Sequence, residues 1–431
     1  MSNKIIGFKF KPFSQRQRQI LNWWTASSPV SGADGIIADG AIRSGKTICM
    51  SLSFVIWAMT NFDGQNFGMA GKTIGSFRRN VLQVSKRMLK SRGYKYEDHR
   101  SDNLLIIRRN GKANNFYIFG GKDESSQDLV QGITLAGVFF DEVALMPESF
   151  VNQATARCSV DGSKFWFNCN PSGPAHWFKK EWIDRRDKKR LLYLHFTMDV
   201  NLSLSEKIKE RYRGQYSGIF YQRYIMGLWV VAEGIIYDMF SAAKHVVKIQ
   251  DIAKDLTNTC YVSIDYGTQN ATVFKLWVKG QSGNWYSVRE YYYSGRDNKR
   301  QKTDAEYADD LETFIDDAKP RAVIVDPSAA SFIAELRRRG IPTLKAKNDV
   351  LDGIREMAKL ITIGRLKWVD CCQHTITEFG AYAWDPKAAE RGEDAPIKDN
   401  DHCMDADRYF IFTILANKKA RVLSKREKGF N

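Results

Sequence analysis

The sequence has no long apolar run. No stretch reaches the roughly 18 apolar residues that a membrane-spanning helix needs, and the densest run, residues 54–59, is far shorter. The N-terminus also lacks an apolar segment followed by a small-residue cleavage site, the pattern of a secretory signal. These absences predict a soluble, intracellular protein that does not bind membranes.

Cysteine and proline are scarce. The 7 cysteines among 431 residues are scattered, their number is odd, and no CxxC pair occurs. A disulfide framework and a zinc ribbon are therefore not indicated. The group around residues 372–374 and 402–403 lacks zinc-ligand spacing. Glycine is neither dominant nor periodic, which excludes a collagen-like rod.

Positive charge is abundant. Lys and Arg total 65 against 49 Asp and Glu, a net charge of +16. This balance favours a polyanionic partner, of which nucleic acid is the commonest. The alternative is a basic surface that serves only solubility. The length is two to three times that of a domain of about 150 residues, so two domains are expected.

Two patterns of strands and helices follow one another. Strands at 35–38 and 67–71 alternate with helices at 47–59 and 74–90, which predicts an α/β fold with a mostly parallel sheet. Asn110-Gly111 marks a hairpin. From residue 260, three strands read as an antiparallel meander, followed by alternating helices and strands. The stretch 234–255 holds the predicted boundary.

A phosphate-binding loop occupies residues 40–47, GAIRSGKT, and fits GxxxxGK[ST] in full. It follows a predicted strand and opens a predicted helix, which is the context that the motif requires. Backbone N–H groups and the helix N-terminus would surround phosphate oxygens. Lys46 is expected to reach the β- and γ-phosphates and Thr47 to bind Mg²⁺. The predicted ATP-binding residues are Gln17, Gly40, Arg43, Ser44, Gly45, Lys46 and Thr47, Gln17 resting on the family resemblance given below.

A carboxylate partner for this loop stands at Asp141-Glu142, after the apolar stretch VFF. The predicted roles are Mg²⁺ binding for Asp141 and general base for Glu142. Arg43 lies inside the phosphate loop, where a guanidinium could reach the γ-phosphate as an arginine finger or form a structural ion pair. Arg78 and Arg79 are rival finger candidates.

A second acidic set lies in the C-terminal half. Asp265 and Asp326 each end a predicted strand, and Asp401, His402 and Asp405 share one face of the last predicted helix. Acids with this distribution can hold two Mg²⁺ or Mn²⁺ ions about 4 Å apart and hydrolyse a phosphodiester. Carboxylate-rich ligation without thiols suits a hard cation rather than zinc.

With these motifs in hand, the chain resembles the large subunit of tailed-bacteriophage terminases, the motors that package DNA. The resemblance covers about residues 8–415. It rests on segments in the following order: GAIRSGKT, VFFDE, NPSGPAHWF, GLWVVAEGIIYDMF, SIDYG, VDPS and DHCMDADRY.

The resemblance implies an additional-strand P-loop ATPase and a ribonuclease-H-like nuclease. It implies that Gln17, with Gln19 as the competing register, contacts adenine. It also implies a coupling motif at Asn168 and Asn170, although many relatives carry Ser or Thr at the first position. In the nuclease, the metal-binding acids match Asp265, Asp326 and Asp405, with Asp401 and His402 in the first half of the last motif. Glu290 has no equivalent in that set.

The implied domains are an ATPase at 1–240, a linker at 241–257, a nuclease at 258–416 and a basic tail at 417–431. The implied partners are double-stranded DNA, a portal protein, a terminase small subunit and further copies in a pentamer, in the host cytoplasm but not in the mature virion. The tail is a portal-docking element or a solvated segment, and the KGQSGN hairpin is a gate beside the nuclease cleft or an ordinary turn. The alternatives in other classes are a cellular helicase–nuclease of DNA repair and a non-enzymatic DNA-binding protein.

Overall fold

In the computed structural model, which describes residues 10–267 and 270–416, the chain forms two structural units. The first unit takes residues up to 213, 219–231 and 391–393, and the second takes 214–218, 232–390 and the residues from 394 onwards. The predicted tail at 417–431 lies outside the described residues. No helix in the described part of the chain is long and apolar enough to cross a membrane.

The first unit is built on an eight-stranded sheet with the order β3-β4-β5-β2-β6-β7-β1-β8. The six strands from β5 to β8 in that order are parallel, and β3 and β4 add an antiparallel edge. One strand, β7, stands between β1 and β6, which is the additional strand that the resemblance implied. The strands are β1 Gly35–Gly40, β2 Asn66–Gly71, β3 Lys95–His99, β4 Leu104–Arg109, β5 Lys112–Gly120, β6 Gly137–Asp141, β7 Lys164–Asn168 and β8 Leu191–Phe196.

The α-helices of this part are α1 Gln15–Asn22, α2 Lys46–Asn61, α3 Ile74–Phe77, α4 Gln83–Ser91, α5 Glu148–Ala156, α6 Glu206–Arg213 and α7 Gly218–Tyr224. Helix α2 is apolar on most of its surface because it lies inside the unit, where Phe54 and Trp57 pack on Phe67 and Trp166. The helix predicted at 74–90 is interrupted by a π-helical turn, Arg78–Leu82, between α3 and α4. Such turns are frequent at functional sites.

The second unit is built on a seven-stranded sheet with the order β14-β13-β10-β11-β12-β15-β9. The first three long strands form the predicted antiparallel meander, and β13 pairs in parallel with β10. The central order β12-β11-β10-β13-β14 is that of a ribonuclease-H-like fold. The strands are β9 Val246–Val247, β10 Leu256–Asp265, β11 Ala271–Gly280, β12 Trp285–Ser294, β13 Val323–Val325, β14 Thr343–Lys345 and β15 Leu366–Val369.

The helices of the second unit are α8 Ala242–His245, α9 Ile249–Ile252, α10 Asp304–Ile315, α11 Ala330–Arg338, α12 Val350–Thr362, α13 Gln373–Ala381, α14 Pro386–Glu390 and α15 His402–Phe410. Residues 241–257, predicted as a linker, contain α8, β9 and α9, and β9 pairs with β15. Helix α15 lies against β10 and β11. Its N-terminal acids therefore lie close to the sheet that carries Asp265.

Candidate nucleotide and nuclease sites

The phosphate loop between β1 and α2 contains three residues with positive φ. Gly40 has φ 118°, Arg43 has φ 58° and Gly45, at the helix N-cap, has φ 86°. The buried Lys46 ammonium donates to the carbonyl oxygens of Gly40, at 3.0 Å, and Ala41, at 2.7 Å. Burial lowers the pKa of Lys46 to about 8, although nearby acidic groups oppose the shift. The lysine is thus directed into the curve of its own loop.

Three neighbouring strand ends bring the predicted magnesium ligands together. Thr47 Oγ1 donates to Asp141 Oδ1 at 3.1 Å. Asn168, at the end of the additional strand, donates from Nδ2 to Thr47 Oγ1 at 2.9 Å and to Asp141. Lys46 also donates to Asn170 Oδ1 at 3.3 Å. Both predicted coupling residues therefore contact the predicted nucleotide-binding residues directly.

The electrostatics of Asp141 follow from its burial. Burial, together with the charge of the adjacent Glu142, raises the pKa of this carboxyl to about 7. The hydrogen bonds from Thr47 and Asn168 and the Lys46 charge act in the opposite direction. The buried Oδ1 of Asn168 has no hydrogen-bond partner among the described residues. This group of oxygen atoms fits a hard cation such as Mg²⁺.

A cleft of about 620 Å³ opens over these residues, and Arg43, Glu142 and Asn201 also line it. Glu142 has φ 61°, a left-handed conformation that is costly for a residue with a side chain. Asn201 Nδ2 donates to the Arg43 carbonyl at 2.6 Å. Asn201 is a residue that our sequence reasoning missed, because a lone Asn after a strand carries no motif.

The three finger candidates differ in their surroundings. Arg43 is exposed and its guanidinium lies 5.4 Å from the centre of the Tyr212 ring. Arg78 forms an ion pair with Asp98 at 2.9 Å. Arg79 is exposed in the π-helical turn. Only Arg43 of these three lines the cleft over the phosphate loop.

Gln17 and Gln19, the two candidate glutamines of α1, line different cavities. Gln17 is buried and donates from Nε2 to the Ser44 carbonyl at 3.2 Å, so it touches the phosphate loop. It also lines a cavity of about 350 Å³ with Phe10 and Phe13. Gln19 is exposed and lines a separate cavity. The geometry therefore favours Gln17 as the residue beside a bound base.

In the second unit, two predicted acids end adjacent parallel strands. Asp265 ends β10 and Asp326 follows β13, and the register pairs the residues just before them. His402 Nδ1 lies 2.9 Å from Asp265 Oδ2. Burial raises the pKa of Asp265 to about 6. Burial lowers the pKa of His402, but the hydrogen bond to Asp265 and the charges of nearby carboxylates together outweigh burial, so the pKa is raised.

Asp326 is held by hydrogen-bond donors on two elements. The Ser328 backbone N–H donates to Oδ1 at 2.7 Å, and the Tyr409 hydroxyl donates to Oδ2. Burial raises the pKa of Asp326, but these hydrogen bonds outweigh burial, and the pKa is lowered. Burial is the main cause of the raised pKa of Tyr409, and the charges of Asp265 and Asp405 raise this pKa as well. Tyr409 therefore contacts Asp326 directly and is within electrostatic range of Asp265 and Asp405.

A lysine that sequence reasoning missed lies between the two remaining acids. Lys398 Nζ donates to Asp401 Oδ2 at 2.8 Å and to Asp405 Oδ2 at 2.9 Å. Arg408 donates to the other oxygen of Asp405 at 2.9 Å. Across residues 10–267 and 270–416, no group of three His, Cys, Asp or Glu side chains is arranged to hold a metal ion. The acids are instead paired with protein cations or accept hydrogen bonds from a hydroxyl group.

Glu290, the acid without a family equivalent, has a structural partner. It is buried and forms an ion pair with the buried Lys275 at 3.0 Å. Its two oxygens accept from the N–H groups of His374, at 2.9 Å, and Thr375, at 3.0 Å, at the start of α13. Glu290 therefore joins the sheet to a helix N-terminus and is not directed at the acidic set.

The KGQSGN hairpin lies at the opposite end of the sheet from Asp265. In the β10–β11 register Gly280 pairs with Leu256, whereas Asp265 pairs with Val273. Along β11, six residue steps separate Val273 from Lys279, the first residue of the turn, which is about 20 Å at 3.3 Å per residue. The interpretation of this turn as a gate beside the cleft is therefore wrong, and the ordinary-turn interpretation stands.

Comparison with known proteins places the chain among the terminases. Residues 37–243 match the family described as Terminase large subunit, T4likevirus-type, N-terminal. The large terminase of a thermophilic bacteriophage is 63% identical, with a TM-score of 0.90 over 94% of this chain and 100% of that one. The chain belongs to the large-terminase family. The predicted terminase identity, fold class and DNA-packaging function are confirmed.

Two further comparisons extend this result. The same thermophilic-phage protein in complex with ADP matches with 63% identity and a TM-score of 0.88, over the same shares of both chains. The terminase large subunit of Escherichia phage T5 is 26% identical over 345 residues, which is 77% of this chain and 76% of that protein. The similarity therefore extends across both units.

Proposed function

We propose that the chain couples ATP hydrolysis to the translocation of double-stranded DNA into a procapsid and cuts concatemeric DNA by metal-dependent phosphodiester hydrolysis. The observation that carries the first half is the convergence of Lys46, Thr47, Asp141 and Asn168 in one cleft. The thermophilic-phage relative has been solved with ADP and with ATP-γ-S, which supports a nucleotide in this cleft.

In the ATPase, each group around the cleft has one task. Lys46 would bind the β- and γ-phosphates, and Thr47 and Asp141 would hold Mg²⁺, which would screen the phosphate charge. Glu142 would accept a proton from the attacking water, and Arg43 would stabilise charge on the γ-phosphate. The Asn168 amide keeps Thr47 and Asp141 in contact.

In the nuclease, we assign metal binding to Asp265, Asp326, Asp401 and Asp405, with Mg²⁺ or Mn²⁺ as the ions. The donor chemistry fits a hard cation, and the Lys398 ammonium already occupies a cationic position between two of the acids. A bound pair of ions would activate water and stabilise the leaving oxygen. His402, through its contact with Asp265, fixes the orientation of that carboxylate.

The partners follow from family membership and charge. We propose that the chain acts in the host cytoplasm with a portal protein, a terminase small subunit and other copies of itself, and grips DNA through Lys and Arg side chains. Backbone contacts of this kind weaken steeply with salt. We assign the ATPase to the first unit and the nuclease to the second.

Two substitutions test the division of labour. We expect Lys46→Ala to abolish DNA-stimulated ATP hydrolysis and leave Mn²⁺-dependent cutting of plasmid DNA in place, because the two acidic sets belong to different units. Asp265→Asn should do the reverse. Loss of both activities in either variant, with an unchanged melting temperature, would contradict the proposal. Robust strand displacement by the parent would instead favour a helicase–nuclease.

A further inference from the structure

A buried carboxylate beneath the phosphate loop has no task in nucleotide chemistry. Asp39, the residue before Gly40, is fully buried. Its Oδ2 accepts a hydrogen bond from the Trp229 indole Nε1 at 2.7 Å, and its Oδ1 lies 3.0 Å from His195 Nδ1. A buried carboxylate must be paired to be tolerated. Trp229 thus satisfies an acid that lies next to the first residue of the loop.

The same short segment touches the loop at two more points. The N–H of Ile42 donates to the Tyr224 carbonyl at 2.9 Å. Gly227 has φ +77°, and a Cβ on it would lie 2.9 Å from the Ala41 nitrogen and 3.0 Å from the Gly40 Cα. Only glycine allows this approach. We call residues 224–229 the strap.

The contacts decide which loop amides can meet a phosphate. The N–H of Ala41 is used by the Phe196 carbonyl at 2.7 Å, and that of Ile42 is used by Tyr224. The amides that follow, from Arg43 to Thr47, are the ones left for anion binding at the helix N-terminus. The strap therefore fixes the first half of the loop in place while the second half binds the nucleotide.

We propose that the strap is a positioning element of the ATP site, in which Trp229 acts through Asp39 and Gly227 acts by direct packing. The proposal rests on nucleotide binding in the cleft, and it gives a role to the GLW sequence that the known chemistry of the loop does not use. Strap and phosphate loop are held as one body, so a displaced strap lowers the affinity for nucleotide.

The first test uses Trp229→Phe, which keeps an aromatic ring and removes the indole N–H. Loss of one hydrogen bond to a buried charge is expected to weaken binding of a fluorescent ADP analogue about fivefold or more and to raise the KM for ATP more than it lowers kcat. The melting temperature reports any general destabilisation. A lowered melting temperature with unchanged ADP affinity and KM would overturn the proposal.

The second test compares two glycines with the same backbone. Gly234 has φ +76° and open space around a Cβ, whereas Gly227 has φ +77° and no space. Both alanine variants carry the same backbone strain, but only Gly227→Ala should weaken ADP binding, by about tenfold or more. Equal effects of the two substitutions would refute the strap. If the parent binds ADP but does not hydrolyse ATP, the proposed function fails while the binding comparison still decides the role of the strap.

Discussion

Lys398 should compete with a divalent cation for the nuclease acids. Its ammonium lies 2.8 Å from Asp401 Oδ2 and 2.9 Å from Asp405 Oδ2, and its side chain is 56% exposed. Ion pairs at such exposure contribute about 0.2–1 kcal/mol each, so the two together oppose metal binding by about 1 kcal/mol. Because 1.4 kcal/mol is a factor of ten, Lys398→Ala should bind Mn²⁺ about fivefold more tightly.

Calorimetric titration with Mn²⁺ alone measures this affinity. An Asp141→Asn background removes the contribution of the ATP site, and Lys387→Ala is a matched control that removes a surface lysine from the same unit. Equal or weaker binding in Lys398→Ala would refute the competition. If neither the parent nor the variant binds Mn²⁺, the metal-dependent nuclease fails instead, so the two ideas are separable.

Three further predictions concern single contacts. Gln17→Ala should raise the KM for ATP about fivefold, the effect of one lost hydrogen bond, whereas an equal rise in Gln19→Ala would contradict the assignment. Glu290→Gln should lower the free energy of unfolding by about 3 kcal/mol in urea titrations, because it leaves Lys275 buried without its nearest charge; an unchanged midpoint would refute this. Although burial raises the pKa of Asp98, its hydrogen bonds and ion pairs with Lys86 and Arg78 lower the pKa to about 2, below the ordinary 3.8. Asp98→Asn should therefore cost about 1 kcal/mol at pH 7, and the difference should disappear as the pH falls from about 4 to 2; a gap that persists at pH 2 would show that ionisation is not its cause.

Much of the fold could be predicted, because buried strands and helices have recognisable apolar patterns in the local sequence. The strand before the phosphate loop and the strand that ends at Asp141 are buried on both faces, so they read as short apolar runs. The turn at Asn110-Gly111 has φ 49° and 81°, as its residue types demand. The edge strand β3 was not predicted, because its sequence, KYEDH, is mostly exposed and polar. Its pairing depends on β4 and not on its own composition.

Side-chain partners were harder to predict than strands. Asp265, Asp326 and Asp405 could be named as candidates because acids at strand ends and on one helix face form a local pattern. Lys398 could not be named, since its loop has no sequence periodicity and its position depends on contacts that only the folded chain brings together. Glu290 could not be placed from the sequence, and only the β11–β12 register shows that it faces Lys275. Pairing across strands is set by register, which a single strand does not encode.

The number of hydrogen bonds that its side chain donates gives a physical reason for an Asn at position 168. The resemblance implied Ser or Thr at this position in many relatives, and a hydroxyl has only one hydrogen to donate. The Asn168 amide has two, and it reaches both Thr47 Oγ1 and Asp141. Burial raises the pKa of Asp141 to about 7, and the hydrogen bond from Asn168 acts against this rise, so it favours the charged carboxylate that the proposed Mg²⁺ site needs. The additional strand therefore does more than widen the sheet: its last residue joins Thr47 and Asp141, the two proposed metal ligands.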